Sequence, residues 1–296
     1  MEDELIRLYY AICDLYEAEL QGEVQRFNTN GLRGAITDEE LMTIYIFCML
    51  YEKRWSLKSM HSFIRRYWIS WFLGLPSYQT FNSRLNRLAD AFAALCPVLM
   101  RAFSPECAAD AVLLGDSLPV MTCSARRRGQ VAPELADKGY CASKGLHYYG
   151  VKLHALALRR EGALPLPLFA AITPASVHDL TAMRPVIEAA RPAALVLDKA
   201  YADRTLAQDL RQRGTALITP VKLTCAMPLP LRHFDAAHRD LFNTAVSRLR
   251  QPIEACFQWL IAHTNIQNAS KVRSAKGLIL HMWGRVAVAC FLLIFP

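Results

Sequence analysis

Three acidic residues stand where a carboxylate costs free energy unless something nearby compensates it. Asp116 follows the apolar run Ala111-Val112-Leu113-Leu114 and precedes Val120–Thr122. Asp198 ends the apolar segment Ala194-Leu195-Val196-Leu197. Glu254 lies beside a helical stripe of Leu249, Ile253, Cys256, Phe257, Leu260 and Ile261, so it can face the edge of a neighbouring sheet. Carboxylates that converge from two strands and a helix repel one another unless a cation lies between them. Hard oxygen ligands with room for water and phosphate suit Mg²⁺. Two such ions, about 3.5–4 Å apart, activate a nucleophile and stabilise a leaving oxygen in phosphodiester chemistry.

Each acid also has a plainer reading. Asp198 at a strand end is placed to cap a loop. Glu254 follows Pro252 closely, so it fits the first turn of a helix that starts or kinks at that proline, where the dipole favours an acid. Asp116, inside a strand, has the fewest alternatives. Asp179 reads as a helix cap, Asp110 and Asp137 lie in loop-like surroundings, and Asp209 sits on a solvated helix beside Arg211 and Arg213.

The elements needed to bring the three acids together are legible from about residue 108 to 262. The order there is three strands, helix, strand, helix, strand, loop, helix: an α/β domain with a mixed sheet. The strands are the run around Leu113, then Tyr148–Leu158 and Leu166–Ile172. A helix follows near His178–Arg191, Ala193–Leu197 is a buried strand of the parallel type, and Asp203 caps a helix through about Gln212. Ala216–Thr219 is the last strand, and Met227-Pro228-Leu229-Pro230 reads as a loop. The first hundred residues are instead helical. Thr37-Asp38-Glu39-Glu40 opens the helix of Leu41–Leu50, a third helix runs from about Ser56 to Trp68, and Ser77 caps a fourth through about Leu95.

Charge points to a polyanion. The chain has 296 residues and a net charge of +8, although residues 1–40 hold ten acids and three bases. Lys53 to Arg87 carries seven cations and many aromatics, in the outline of a helix-turn-helix DNA reader. On that reading Gln79, Thr80, Asn82, Ser83, Asn86 and Arg87 face DNA, and Arg84 joins them. The alternative is a helical bundle with a solvated basic face. A second basic segment follows, Arg126-Arg127-Arg128 through Lys138, Lys144 and Lys152.

The nine cysteines include no CxxC pair and mostly sit in apolar runs, which fits small buried hydrophobes in a reducing cytoplasm. No secretory signal is expected from Glu2, Asp3 and Glu4. Leu41–Leu50 and Val286–Phe295 are each about half the length of a spanning helix. Extending the second backward meets Arg285 and His281, so both read as core helices; a C-terminal membrane anchor is the alternative.

Taken together these segments resemble a bacterial insertion-sequence transposase of the DDE type. They are most similar to insertion-sequence family nine-eight-two, related to the insertion-sequence-four group. The resemblance spans nearly the whole chain. It rests on Leu113–Ser117, Tyr148–His154, Thr173–Asp179, Asp198–Asp203 and Arg250–Glu254, in that order. It implies an RNase H-like mixed-sheet catalytic core over residues 106–296, preceded by an all-helical DNA-binding region over residues 1–105. It further implies that Asp116, Asp198 and Glu254 bind Mg²⁺, with two ions and Mn²⁺ able to substitute. The wider group carries a helical signature of Tyr, two residues, Arg, three residues, Glu, six residues, Lys. Arg250 and Glu254 match it, while Ser247 and Ile261 occupy the Tyr and Lys positions.

Arg250 is one turn from Glu254 and is placed either to pair with it or to reach a DNA phosphate. Lys152, Lys199 and Tyr201 are further candidates for phosphate contact, and His154 reads equally as structural or functional. The expected activity is cleavage at terminal inverted repeats followed by strand transfer into target DNA. The expected partners are double-stranded DNA and further copies of the chain, in a bacterial cytoplasm at the nucleoid. A nuclease on the same core without strand transfer, or a DNA-binding protein with a decayed core, are the rival readings.

Overall fold

The computed structural model describes residues 1–24, 35–103, 110–126, 131–141, 144–221 and 229–295, with 229–237 as backbone only. Arg127, Arg128, Cys107, Cys225, Met227, Pro228 and the expected boundary at 105/106 therefore lie outside the described residues. The helices are α1 (Glu2–Leu15), α2 (Asp38–Leu50), α3 (Leu57–Tyr67), α4 (Tyr78–Arg87), α5 (Ala89–Arg101), α6 (Asp179–Ala189), α7 (Arg204–Gln212), α8 (Leu229–Thr264) and α9 (Ala275–Ile294). The strands are β1 (Val112–Ser124), β2 (Asp137–Cys141), β3 (Leu146–Leu158), β4 (Leu166–Pro174), β5 (Ala194–Val196) and β6 (Ala216–Ile218). Two compact units form: Met1–Ala102 with Met121–Ala136 and Leu260–Pro296, and Phe103–Val120 with Asp137–Trp259.

The first unit is helical and built around α2. Its start follows from sequence: the Thr37 hydroxyl accepts from Glu40 N–H at 3.2 Å while the Glu40 carboxylate accepts from Thr37 N–H at 2.6 Å, a complete capping box. Every residue from Leu41 to Leu50 is buried, so the helix is apolar on all sides because it is surrounded on all sides. Each fully buried large apolar side chain of this kind contributes about 1.5–3 kcal/mol.

Ser77 caps α4 as the sequence indicates, and Ser56, where the third helix is expected to begin, caps α3. The fourth helix is shorter than expected. It ends at Arg87, where Leu88 N–H donates to both Arg84 and Leu85 carbonyls, and α5 begins at Ala89. The connection from α3 to α4 covers residues 68–77, longer than the three or four residues of a tight helix-turn-helix.

The C-terminal apolar segment is a buried core helix, as read from sequence, and it extends back past Arg285 and His281. It is one helix, α9, capped by Ser274 and long and apolar enough to cross a membrane, yet 67% of its most apolar window is buried within the protein, against α5 and α2. Arg285 and His281 are themselves buried and satisfied by backbone carbonyls: His281 Nε2 contacts Ile266 O at 2.8 Å, and Arg285 Nε donates to Thr264 O at 2.9 Å. No disulfide joins any of the seven described cysteines.

The second unit is a mixed α/β layer with the strand order β2-β3-β1-β5-β6, and β4 also on β3. β3 is long enough to take β2 along Leu146–Gly150 and β4 along Val151–Leu158, both antiparallel. Arg159 N–H, just past the end of β3, donates to Val112 O at the start of β1, so these neighbours run antiparallel. β1, β5 and β6 then run parallel. This is the mixed sheet of an α/β unit expected from sequence, with one strand more among the described residues.

The extra strand, β2, is hard to see in the sequence because Asp137-Lys138-Gly139-Tyr140 alternates poorly. Its glycine has a packing reason: a Cβ on Gly139 would come within 2.8 Å of Ala175 O. On one side of the sheet Leu113, Leu195 and Leu197 pack with Met183 and Ile187 of α6 and Leu206 and Leu210 of α7.

The loop expected over Met227–Pro230 gives way to helix from Leu229. Of the start or kink expected at Pro252, the start is also absent. α8 runs unbroken for 36 residues with Pro252 inside it. A proline removes one ladder hydrogen bond, and the turns on both sides carry the helix across it.

Candidate active site

The parallel register of β1 and β5 positions the first two acids. Leu114 is paired with Val196, and Asp116 and Asp198 lie two residues further along each chain. The period of two keeps them on one face, opposite to that of Leu113, Leu195 and Leu197. Asp198 is also the residue preceding the 3-10 turn Lys199–Tyr201, so the chain leaves the sheet just beyond it. Glu254 comes from the other direction, on α8, one turn from Arg250.

One guanidinium gathers all three acids. Arg250 Nη2 donates to Asp116 Oδ2 at 2.9 Å, Nη1 donates to Asp198 Oδ1 at 3.2 Å, and Nη2 stands 3.7 Å from Glu254 Oε1. Arg250 is mostly buried while Glu254 keeps more than half of its side chain exposed. The triple read from sequence therefore converges, and of the two roles open to Arg250 the structure shows the pairing with carboxylates.

Burial pushes the Asp116 carboxyl up to about 6, against the pull of Arg250 and of Ser117 N–H, which donates to Asp116 Oδ1 at 2.8 Å. The negative charges of Asp198 and Glu254 push the same way as burial.

Beside the triple lies a second polar group that sequence patterns do not single out. The expectation that Asp179 caps a helix fails: His178 is the N-cap, its Nδ1 accepting from Leu180 N–H at 3.3 Å. The Asp179 carboxylate instead accepts from Lys152 Nζ at 2.9 Å and from Ser117 Oγ at 3.1 Å. Ser117 thus holds Asp116 through its backbone and Asp179 through its side chain. Lys152 also donates to Val177 O at 2.9 Å, which ties it to the connection between β4 and α6. The signal in the sequence is Lys152 at even spacing before His154 on one strand. It becomes informative only when α6 is known to start beside that strand.

His154 is fully buried, with Nε2 2.8 Å from Thr173 Oγ1, and burial lowers its pKa to about 4. It is a neutral core histidine.

The expected DNA contacts separate into two groups. Gln79, Arg87 and Lys199 are exposed, and Asn82 is half-buried. Arg84 turns inward, donating to Asp38 at 2.7 Å and to Ile36 O at 2.6 Å, because the acidic start of α2 neutralises it. Tyr201 is buried at 1% exposure, with its hydroxyl beside Asp179, Asp116 and Asp198, and burial raises its pKa. Neither Arg84 nor Tyr201 presents its polar end to the surface. Ser247 is exposed and Ile261 half-buried, where the wider signature carries Tyr and Lys.

Among the described residues no three His, Cys, Asp or Glu side chains enclose a common point as they stand. The donor set nonetheless fits a divalent cation. It offers only hard carboxylate oxygens, one of them on a buried acid with a raised pKa, around a spot already filled by positive charge from Arg250.

A search among curated proteins finds no match. Among solved structures, the Drosophila P element transposase strand transfer complex is similar at 11% identity and a TM-score of 0.29, over 72% of this chain and 47% of that one. This chain thus spans about half the length of that relative. A pre-cleavage Mos1 transpososome is similar at 10% identity and a TM-score of 0.20, over 90% of this chain and 81% of that one. Residues 109–291, which hold Asp116, Asp179, Asp198, Arg250 and Glu254, match the sequence profile of the family described as Transposase DDE domain. With more than half of its length in that match, the chain belongs to the transposase DDE domain family.

Proposed function

We propose that this protein is a DNA transposase that cleaves phosphodiester bonds at terminal inverted repeats and transfers the freed strand into target DNA. The observation that carries this reading is the convergence of Asp116, Asp198 and Glu254 on one face, each within 3.7 Å of the Arg250 guanidinium. Members of the family generally use divalent metal ions. We assign that role here to Mg²⁺, held by the three carboxylates, with two ions and Mn²⁺ as a substitute. Such a cation supplies neutralisation of the charge that develops on the attacking and leaving oxygens.

In the first step a water oxygen bonds to phosphorus and the bond to the 3′ oxygen breaks, so the element end keeps a 3′-hydroxyl. That hydroxyl then attacks a target phosphorus, and one phosphodiester is exchanged for another with no covalent enzyme intermediate. The residues of the chain orient this chemistry. Arg250 holds the acids together and, once they take up a cation, is free to meet a phosphate. Lys199, exposed beside Asp198, is placed for the same partner, and Asp179 fixes Lys152 near the site. In the helical region of residues 1–105, Gln79, Asn82 and Arg87 are the candidates for end recognition. Residues 106–296 are the catalytic region. The finer reading is a bacterial insertion-sequence enzyme of family nine-eight-two, acting at the nucleoid as a dimer or larger assembly on paired ends.

The test is Mg²⁺-dependent cleavage of a duplex carrying the element end. Asp116→Asn, Asp198→Asn and Glu254→Gln should each abolish cleavage while end binding persists. Full cleavage by the Asp198→Asn protein would overturn the site. Joining of a pre-cleaved 3′-hydroxyl end to a plasmid separates a transposase from a nuclease on the same core.

A further inference from the structure

The first unit contains a cavity of about 760 Å³ that the catalytic chemistry does not use. This volume falls within the roughly 300–1,000 Å³ of sites that enclose ligands. Lys53, Arg54, Lys58, Lys271 and Arg273 stand around it, and none of the described residues lining it is Asp or Glu. Lys53, Lys58, Lys271 and Arg273 are solvent-exposed at its rim. The first turns of α3 and α9, capped by Ser56 and Ser274, form part of the wall, so two helix N-termini add positive potential.

An independent observation comes from the inner wall. Arg285 lines the cavity from within the core at 6% exposure. It donates to four uncharged acceptors, Thr264 O at 2.9 Å, Trp55 O at 3.0 Å, and Tyr45 Oη and His281 O at 3.4 Å. Among the described residues no Asp or Glu pairs with this guanidinium, and a buried cation without a counter-charge leaves a desolvation cost unrelieved. An anion in the adjoining cavity would offset it.

The rest of the wall indicates which anion. Asn82, Asn86, Asn265 and Asn268 offer amides that both donate and accept, and Trp55 and Tyr78 offer aromatic surface. Cations for phosphate, amides for base edges and rings for stacking are the groups that hold a nucleotide of a DNA strand.

We propose that this cavity binds a phosphate-bearing segment of a DNA strand. The proposal rests on the reading of the protein as acting on DNA. It locates a DNA contact in the recess where α3, α4 and α9 begin, with the outward face of α4 flanking it.

The experiment uses the full chain with Lys58→Gln/Lys271→Gln and, in parallel, Lys58→Arg/Lys271→Arg. Fluorescence anisotropy of a labelled duplex carrying the element end is measured across a NaCl series. The glutamine variant should bind at least about tenfold more weakly, with a salt slope shallower by about two, because each lysine that neutralises a phosphate accounts for about one. The arginine variant should retain both. A glutamine variant with wild-type affinity and slope overturns the cavity while the DNA reading stands. Wild-type protein that binds no duplex at low salt overturns both. Calorimetric titration with inorganic phosphate and with deoxyadenosine monophosphate tests the free-anion source. Tight binding of either, undiminished by saturating DNA, would give the cavity to a small ligand and overturn the strand assignment.

Discussion

Arg250 and Asp116, 134 residues apart in sequence, are joined at 2.9 Å, and the same guanidinium spans to Asp198 at 3.2 Å. A side chain of the protein thus occupies the centre of charge between carboxylates that fit a divalent ion. Removing it should expose their mutual repulsion. Arg250→Ala is expected to lower stability by about 3 kcal/mol without divalent cations, in the range found when one partner of a buried pair is deleted. The sign with pH follows from Asp116. Its folded pKa, about 6, lies above the ordinary 3.8, so stability is lost as pH rises between those values, and the loss is greater without Arg250. Thermal unfolding at pH 5 and pH 8, with and without Mg²⁺, tests this. The variant should recover more with Mg²⁺ than the wild type does, and equal recovery would argue against a shared site.

Asp179 is expected to matter as a positioning residue, through Lys152 and Ser117. Asp179→Asn keeps its size but removes the charge that anchors Lys152 at 2.9 Å. Cleavage should slow by about tenfold, the scale of a single charge-assisted hydrogen bond, with duplex affinity nearly unchanged. Lys152→Ala in the same background should then cause little further loss. Independent, multiplicative losses in the double variant would show that the pair does not act as a unit.

His154, which touches none of the three acids, supplies a second pH signature. Its pKa falls from 6.5 to about 4 on burial, so the unfolded chain binds the proton more readily between those values. The folded state is therefore fully favoured by this group above pH 6.5, and that advantage fades as pH falls toward 4, by an amount on the order of 3 kcal/mol. Denaturant unfolding from pH 7 to pH 4.5 should show a smaller decline for His154→Gln than for wild type. Parallel declines would remove His154 as a source.

Gly284 is held by packing. A Cβ there would come within 2.7 Å of the Tyr45 ring and hydroxyl in the buried contact of α9 with α2. Gly284→Ala should destabilise by about 1–3 kcal/mol through overpacking, despite the better helix propensity of alanine. Chemical denaturation reads the difference, and a stabilised variant would mean that Tyr45 yields freely.

Much of the architecture is carried by local chemistry. The capping box at Thr37 and Glu40, the serine caps at Ser56 and Ser77, the aspartate cap at Asp203 and the apolar strand before Asp198 are short-range patterns, and each forms where it is written. Asp116, Asp198 and Glu254 are legible for a related reason, since an acid inside a strand, at a strand's end or beside an apolar helix stripe stands out against its neighbours. Other features depend on contacts between distant segments. β2 alternates weakly and exists because β3 is long enough to pair it. Pro252 reads locally as a helix start, yet it lies inside α8, and Arg285 is a charge in a core helix that distant carbonyl acceptors satisfy. Arg84 and Tyr201 have the composition of DNA contacts, but Asp38 and the sheet turn them inward. Residue types and their spacing are enough to name the side chains capable of chemistry. Which of those side chains meet is a property of the folded chain, because their partners are set by the register of β1 against β5 and by how α6 and α8 lie on the sheet, and no local pattern encodes those distances.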